Sequence, residues 1–408
     1  MHFHFGAGAL GIGAVLPVLN RNQSLVIVQQ VRKSGLKWDK YNKNNTICLG
    51  RRIEPPGRYQ YQTSYTAEIP CVRVKRPRSV AKRMLPKREG DYLVVLLDEL
   101  GQIGPVLRHA TSLSCALRDG QSSLAKILLN NRGGNQGQPL LAFENKVNDK
   151  LTKACARLSC PWKLFHVLTD RICGKRIEDE DYGEILVPCE QFLRMVAAND
   201  DGVRSVFDEA RVTTAGRGDE ERPIILVAGG SLGFYEKRKR WMVNSLHEML
   251  ALIATSRLSQ RRIQAEGQYL PQAIAWSLEQ DPVLDHSVRL YIRLQAVRLV
   301  LECRKEYEAV HQVYGTYNEQ ELYDAFVMEG QDTFNRMREF SDGLGRLFNQ
   351  ERPDKEWKKY DEHVLGAMQF VSAREGDIRE CHFLGVPNPD ELKALEELLK
   401  VALRDSLA

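Results

Sequence analysis

His2-Phe3-His4-Phe5-Gly6-Ala7-Gly8-Ala9-Leu10-Gly11-Ile12-Gly13 opens the chain, and this segment sets the expected architecture. The first four residues form a short β run. Gly6, Gly8 and Gly11 then fit G-x-G-x-x-G. In a dinucleotide-binding turn the first glycine permits the sharp bend and the second lets the backbone approach a pyrophosphate. The third allows the following helix to pack closely on the strand. The helix then turns its unpaired N–H groups and positive dipole end toward the phosphates. A second β run, Leu25–Val28, follows about one crossover later, which is the context the fingerprint requires. Gly6, Gly8, Ala9, Leu10 and Gly11 are therefore the expected cofactor cradle.

Beyond this opening, further short apolar runs alternate with helix-length segments at Tyr92–Leu97, Pro139–Phe143, Lys163–Leu168, Glu184–Val187 and Ile224–Val227. That alternation predicts parallel strands joined by crossovers. Past residue 230 the β runs stop. Asn244–Ser259, Ser287–Val313, Asn318–Phe340, Trp357–Val371 and Pro389–Leu403 read as helices, with Ser287 and Asp390 as caps. The expected plan is α/β plus all-α: a Rossmann-type NAD(P)-binding domain over residues 1–229 and a mainly helical substrate and catalytic domain over 230–408. Arg132–Gly137 (RGGNQG) reads as a loop between helix and strand.

Composition narrows the class. The chain has 408 residues, of which 43% are hydrophobic and 27% charged, ordinary for a globular protein and wrong for a disordered one. Its net charge of +5 suits an anionic ligand but falls short of a dedicated nucleic-acid binder, so no nucleic-acid partner is expected. Arg73–Arg88 (RVKRPRSVAKRMLPKR) is a basic run without an acid, readable as a polyanion patch or as a solvated rim. It lacks interleaved aromatics, which disfavours a single-stranded nucleic-acid role. No segment reaches the roughly 18 to 20 apolar residues of a membrane span, and Phe5–Leu19 lacks the basic start of a signal peptide. The nine cysteines are scattered and contain no CxxC pair or zinc spacing, which points to reduced thiols in a cytoplasmic protein and to no metal.

The end of the second β run reads Val28-Gln29-Gln30-Val31-Arg32-Lys33, without the acid that usually meets the adenosine ribose. Gln30 occupies the expected place, and Arg32 can accommodate a 2′-phosphate. NAD and NADP both stay open on this reading.

The chemistry is expected in Tyr235-Glu236-Lys237-Arg238-Lys239-Arg240-Trp241-Met242-Val243-Asn244-Ser245-Leu246-His247. On a helix, Asn244 and His247 are neighbours, and Lys239 lies a little over two turns before His247. A lysine amine, an amide and an imidazole around one carbonyl form a plausible hydride-transfer site. The amine serves as acid and base, and the other two hold the oxygen.

This K-x4-N-x2-H pattern, preceded by aromatic-Glu-x-Arg, resembles the signature of the long-chain polyol dehydrogenases. That family includes mannitol 2-dehydrogenase, mannitol-1-phosphate 5-dehydrogenase and the hexuronate reductases. The opening HFGAGALGIG, Phe143-Glu144-Asn145-Lys146, Thr169-Asp170-Arg171-Ile172 and Val187-Pro188-Cys189-Glu190-Gln191-Phe192 resemble its other anchors, in order. The anchors span residues 3–247; the helical remainder is similar to the family by type only. The resemblance implies metal-independent, NAD(P)-linked interconversion of a secondary alcohol and a ketone. Its substrate would be a polyol, polyol phosphate or sugar acid. Lys239 would be the general acid/base, Asn244 and His247 would polarise the reacting oxygen, and Glu236 would exchange the proton with solvent. Asn145 would lie at the cofactor, with Lys146, His166 and Arg238 toward the substrate. The family pattern has an asparagine where His166 stands and an apolar residue where Lys146 stands, and Asp98-Glu99 after the fourth strand is unusual for it. The family leans toward a monomer or a weak homo-oligomer. Two other readings compete: a ketopantoate-reductase-like NADP reductase, which GAGALG also resembles, and a non-catalytic nucleotide-binding protein.

Overall fold

The computed structural model describes residues 1–31, 46–54, 62–74, 81–117, 121–130, 137–143, 145–158, 161–171, 173–174, 177–179, 184–214, 222–228, 232–250, 282–303, 319–339, 366–373 and 389–407. Arg32, Lys33 and all of Arg132–Gly137 but its last residue lie outside them. So do most of the expected helix Trp357–Val371 and the later parts of Asn244–Ser259 and Ser287–Val313. The chain divides into two compact units, Met1–Leu232 and Gly233–Ala408.

The first unit is built on one large, mostly parallel, curled sheet. Its strands are β1 (His2–Phe5), β2 (Leu25–Gln30), β3 (Thr46–Glu54), β4 (Gln62–Val74), β5 (Tyr92–Leu97), β6 (Ser112–Cys115) and β7 (Pro139–Ala142). They continue as β8 (Lys163–Asp170), β9 (Ile177–Asp179), β10 (Glu184–Glu190), β11 (Arg194–Ala198), β12 (Val212–Thr214) and β13 (Ile224–Val227). The spatial order is β12-β13-β11-β8-β7-β6-β1-β2-β5-β4-β3-β10-β9. The central six, β5-β2-β1-β6-β7-β8, all run parallel. Numbered among themselves along the chain, they stand in the order 3-2-1-4-5-6, compatible with a Rossmann-like sheet.

Side-chain alternation along β1 sorts the two faces. Phe3 and Phe5 enter a core with Val26, Val28, Val95 and Leu97, covered by the turns Leu100–His109 and the helices Gln121–Asn130 and Asn145–Arg157. On the other face Ile12, Ala14 and Val15 pack with Ile27, Leu96, Ile47, Leu49, Ile185 and Val187. The cover there is the glycine-rich helix together with β3 and β10, where the sheet curls over it. The apolar runs did not predict β3, β4, β6, β9, β11 and β12; β4 carries Pro70 and alternating polar residues that mask its strand character.

The described residues of the second unit are helical. They include Leu232–Arg238, whose first residue closes the first unit, then Lys239–Asn244, 245–250, Pro282–Glu302, Glu319–Glu339, Gly366–Ala373 and Pro389–Leu407. Ser287 lies inside Pro282–Glu302 and Asp390 in the first turn of Pro389–Leu407, so neither is the cap that its position suggested. Gly330 lets the helices meet, since a Cβ there would stand 2.5 Å from Ile292 Cγ2 and 2.8 Å from Met242 Cε.

Candidate functional site

The first candidate element is the turn after β1. Gly6 has φ +106°, and a Cβ there would press on the Ala116 backbone at 3.0 Å. Gly11 is more constrained: its Cβ would sit 2.1 Å from the Gly6 carbonyl oxygen. A Cβ at Gly8 would meet nothing within 4 Å. Two glycines are thus demanded by the protein's own backbone, while the middle one faces open space. That is the division of labour expected when the middle glycine keeps room for a ligand's phosphates. Past the turn the winding is irregular: Gly11–Val15 is a π turn in which the Leu16 N–H donates to the Gly11 carbonyl, and Leu16–Val18 tightens to a 3-10 turn.

A buried polar chain, which no motif announced, supports the turn from below. The Gly6 carbonyl can only accept, so His4 Nε2–H donates to it at 3.2 Å. His4 Nδ1 then accepts from the Ser114 hydroxyl at 2.7 Å, and Ser114 in turn accepts from His2 Nε2–H at 2.7 Å. His2 Nδ1 closes the chain on Ser112 at 2.8 Å. Burial pushes His4 down to about 4 and His2 well below the ordinary histidine value, so both rings stay neutral. The signal lay in two alternations, His2-x-His4 and Ser112-x-Ser114, brought abreast when β1 pairs with β6.

Gln29, rather than Gln30, touches the turn: its Oε1 accepts the Ala7 N–H at 2.9 Å. Gln30 turns its amide to the Asp98 carbonyl, 3.1 Å away, tying the ends of β2 and β5. Asp98 itself is ion-paired with Arg73 at 2.6 Å. Glu99 is used as the cap of Leu100–His109, exchanging side-chain hydrogen bonds with Gln102. The basic run Arg73–Arg88 therefore gives up its first member to the fold; Ala81–Met84 is a short 3-10 turn.

Asn145 and Lys146 open the helix Asn145–Arg157, directly after β7. His166 lies on the neighbouring β8, abreast of Ala142, with Nε2 3.3 Å from the Thr152 hydroxyl. Arg171 binds two carbonyls, Gly13 at 2.9 Å and Glu190 at 2.6 Å, and so clamps the glycine-rich helix to β10.

The second candidate element belongs to the other unit. Lys239 does not continue the α-winding assumed from spacing: Lys239–Asn244 is a π turn in which the Ser245 N–H donates to the Arg240 carbonyl, five residues back. The cause is local. The Trp241 carbonyl, which α-winding would give to the Ser245 N–H, instead accepts the Ser245 hydroxyl. Gln295 Nε2 holds that hydroxyl at 3.0 Å and the Tyr291 hydroxyl at 2.7 Å. In π-winding, residues five apart stand above one another, so Lys239 and Asn244 share a face; His247 follows one α-turn later. Lys239, Asn244 and His247 are each half-buried, whereas Glu236 is exposed.

Arg238, expected toward the substrate, has a partner within its own unit. It is ion-paired with Glu329 of the helix Glu319–Glu339, with its guanidinium also beside the Tyr235 ring at 5.7 Å. Among the described residues no cluster of three or more His, Cys, Asp or Glu side chains could hold a metal, and no helix is long and apolar enough to cross a membrane. No protein-family model and no curated protein sequence matches the chain.

Proposed function

We propose that the protein is an NAD(P)-dependent oxidoreductase of the long-chain polyol dehydrogenase type, interconverting a secondary alcohol of a polyol, polyol phosphate or sugar acid with its ketone. The observation that carries the reading is the steric sorting of the three glycines. Gly6 and Gly11 are enforced by backbone, and a Cβ at Gly8 would meet nothing within 4 Å. The parallel 3-2-1-4-5-6 strand order supports it, because such sheets bind dinucleotides at the carboxyl ends of their strands, where the order reverses. The order reverses at β1, the strand that feeds the turn.

Gly6 to Gly11 would hold the pyrophosphate through the amides of the first helical turn, whose N–H groups have no partner within a helix. A bound nicotinamide dinucleotide would supply or accept the hydride. The chain's own task is to place the substrate oxygen and move its proton. Lys239 donates the proton in the reducing direction and removes it in the oxidising one. Asn244, brought onto the same face by the π turn, donates its amide N–H to that oxygen, and His247 holds it from the next turn. Both π turns found among the described residues fall in the two motifs that carry this reading, and such turns occur frequently at functional sites.

The test is fluorescence titration of the purified chain with NADH and NADPH. The same sample is then offered a panel of ketoses, ketose phosphates and keto-uronates. Binding followed by oxidation of the cofactor by a panel member is the expected result. Failure of both cofactors to bind would overturn the proposal.

A further inference from the structure

The end of β2 lacks the acid that ordinarily meets the adenosine ribose hydroxyls, reading Gln29-Gln30 instead. The neighbouring strand supplies one. Leu97, last residue of β5, is level with Gln30 on one side and with Val74 of β4 on the other, so the three strands end at one edge and Asp98 stands just above it. Every polar part of Asp98 is held in place. Its N–H donates to Gln102 Oε1 at 3.0 Å, its carbonyl accepts from Gln30 at 3.1 Å, and its carboxylate receives Arg73 at 2.6 Å. The side chains of the pair retain 17% and 20% exposure, enough to meet a ligand at the edge.

We infer that Asp98 replaces the missing β2 acid as the group that selects the dinucleotide at its adenosine ribose, favouring the free 2′-hydroxyl form over the 2′-phosphate form. The inference rests on the dinucleotide reading given above. A fixed carboxylate accepts a hydrogen bond from a ribose hydroxyl and repels a phosphate dianion at the same place. Arg73 is the counterpart. Its register position, abreast of Leu96 and in line with Gln29, puts it on the face that carries the glycine turn. While Asp98 is ionised, Arg73 Nη2 is engaged by it; with the carboxylate charge removed, the positive charge of the same guanidinium draws a 2′-phosphate.

The experiment compares the NADH and NADPH dissociation constants of the wild type, Asp98→Asn and the double variant Asp98→Asn/Arg73→Gln, with circular dichroism to verify folding. The wild type should prefer NADH. Asp98→Asn should shift the ratio toward NADPH by about tenfold or more, as expected for exposing a charge-assisted phosphate contact, and Arg73→Gln in that background should abolish the shift. Should Asp98→Asn not fold, Asp98→Ser gives the same readout. A wild type that binds both cofactors, with an unchanged ratio in the folded Asp98 variants, would overturn the inference and leave the dinucleotide reading standing. A wild type that binds neither would overturn both.

Discussion

The Gly6 carbonyl oxygen and the α-carbon of Gly11 are so close that a Cβ on residue 11 would lie 2.1 Å from that oxygen. Neither partner of this contact is the end of a flexible side chain, so the turn itself would have to open. Gly11→Ala is therefore expected to lower stability by about 1–3 kcal/mol, the usual cost of overpacking, or to prevent folding. Gly8→Ala meets no atom within 4 Å and should leave the melting temperature unchanged while weakening cofactor binding. Thermal denaturation and cofactor titration of the two variants separate the effects; equal stability losses would contradict the division between them.

Acid should loosen the turn through His4. Its folded pKa of about 4 lies below the ordinary histidine value of 6.5, so the unfolded chain binds the proton more readily. Stability is then full above about pH 6.5 and falls as pH drops toward 4, by about 3 kcal/mol for this group alone. His2 is shifted the same way, chiefly by burial, and adds to the slope. Urea denaturation between pH 4 and 7 measures it. His4→Gln should flatten the dependence.

Ser245 sets the winding under the catalytic candidates. Ser245→Ala returns the Trp241 carbonyl to the backbone and should favour α-winding, moving Lys239 off the Asn244 face. Turnover should fall by about tenfold or more, with cofactor affinity retained. Unchanged turnover would mean that the π turn does not place the lysine.

Lys239→Ala should cost about 10²- to 10⁴-fold in turnover while the fold stays intact, the range for losing a general acid or base. Circular dichroism and steady-state kinetics check it together, and near-normal turnover would sink the mechanism.

Glu329→Gln should act on stability alone. The Arg238–Glu329 pair is mostly buried, at 20% and 16% exposure, and leaving the guanidinium with a neutral partner should cost about 1–3 kcal/mol. A raised KM at unchanged stability would instead place Arg238 at the substrate.

Part of this architecture is legible in the residues alone. The runs Tyr92–Leu97 and Ile224–Val227 are strands at those bounds because each is a compact apolar stretch, and His2–Phe5 is one because its two phenylalanines alternate onto one buried face. β3 and β4 owe more to pairing than to apolar content. Thr46–Glu54 carries Arg51 and Arg52, and only the partner strands on either side make it a strand. The glycine turn is readable because sterics leave glycine little alternative at Gly6 and Gly11. The hydrogen bonds of Gln29 and the pairing of Asp98 with Arg73 are not, since each joins residues whose approach depends on strand register. Arg238 escapes for the same reason: Glu329, its partner, is remote in sequence and brought near by helix packing.

The helix after the glycine turn is covered in part by β10, a strand that arrives late in the chain. A Cβ at Gly13 would touch Cys173 and Val187, and the Gly13 carbonyl is held by Arg171. The ribosome therefore releases the turn long before it releases the residues that enclose it. The opening segment must wait, with one apolar flank bare, until β10 has been synthesised. Its loop closure spans most of the first unit, the kind of long-range contact that forms late in folding. A nascent chain halted before residue 171 would carry the complete glycine motif and still lack a finished cradle.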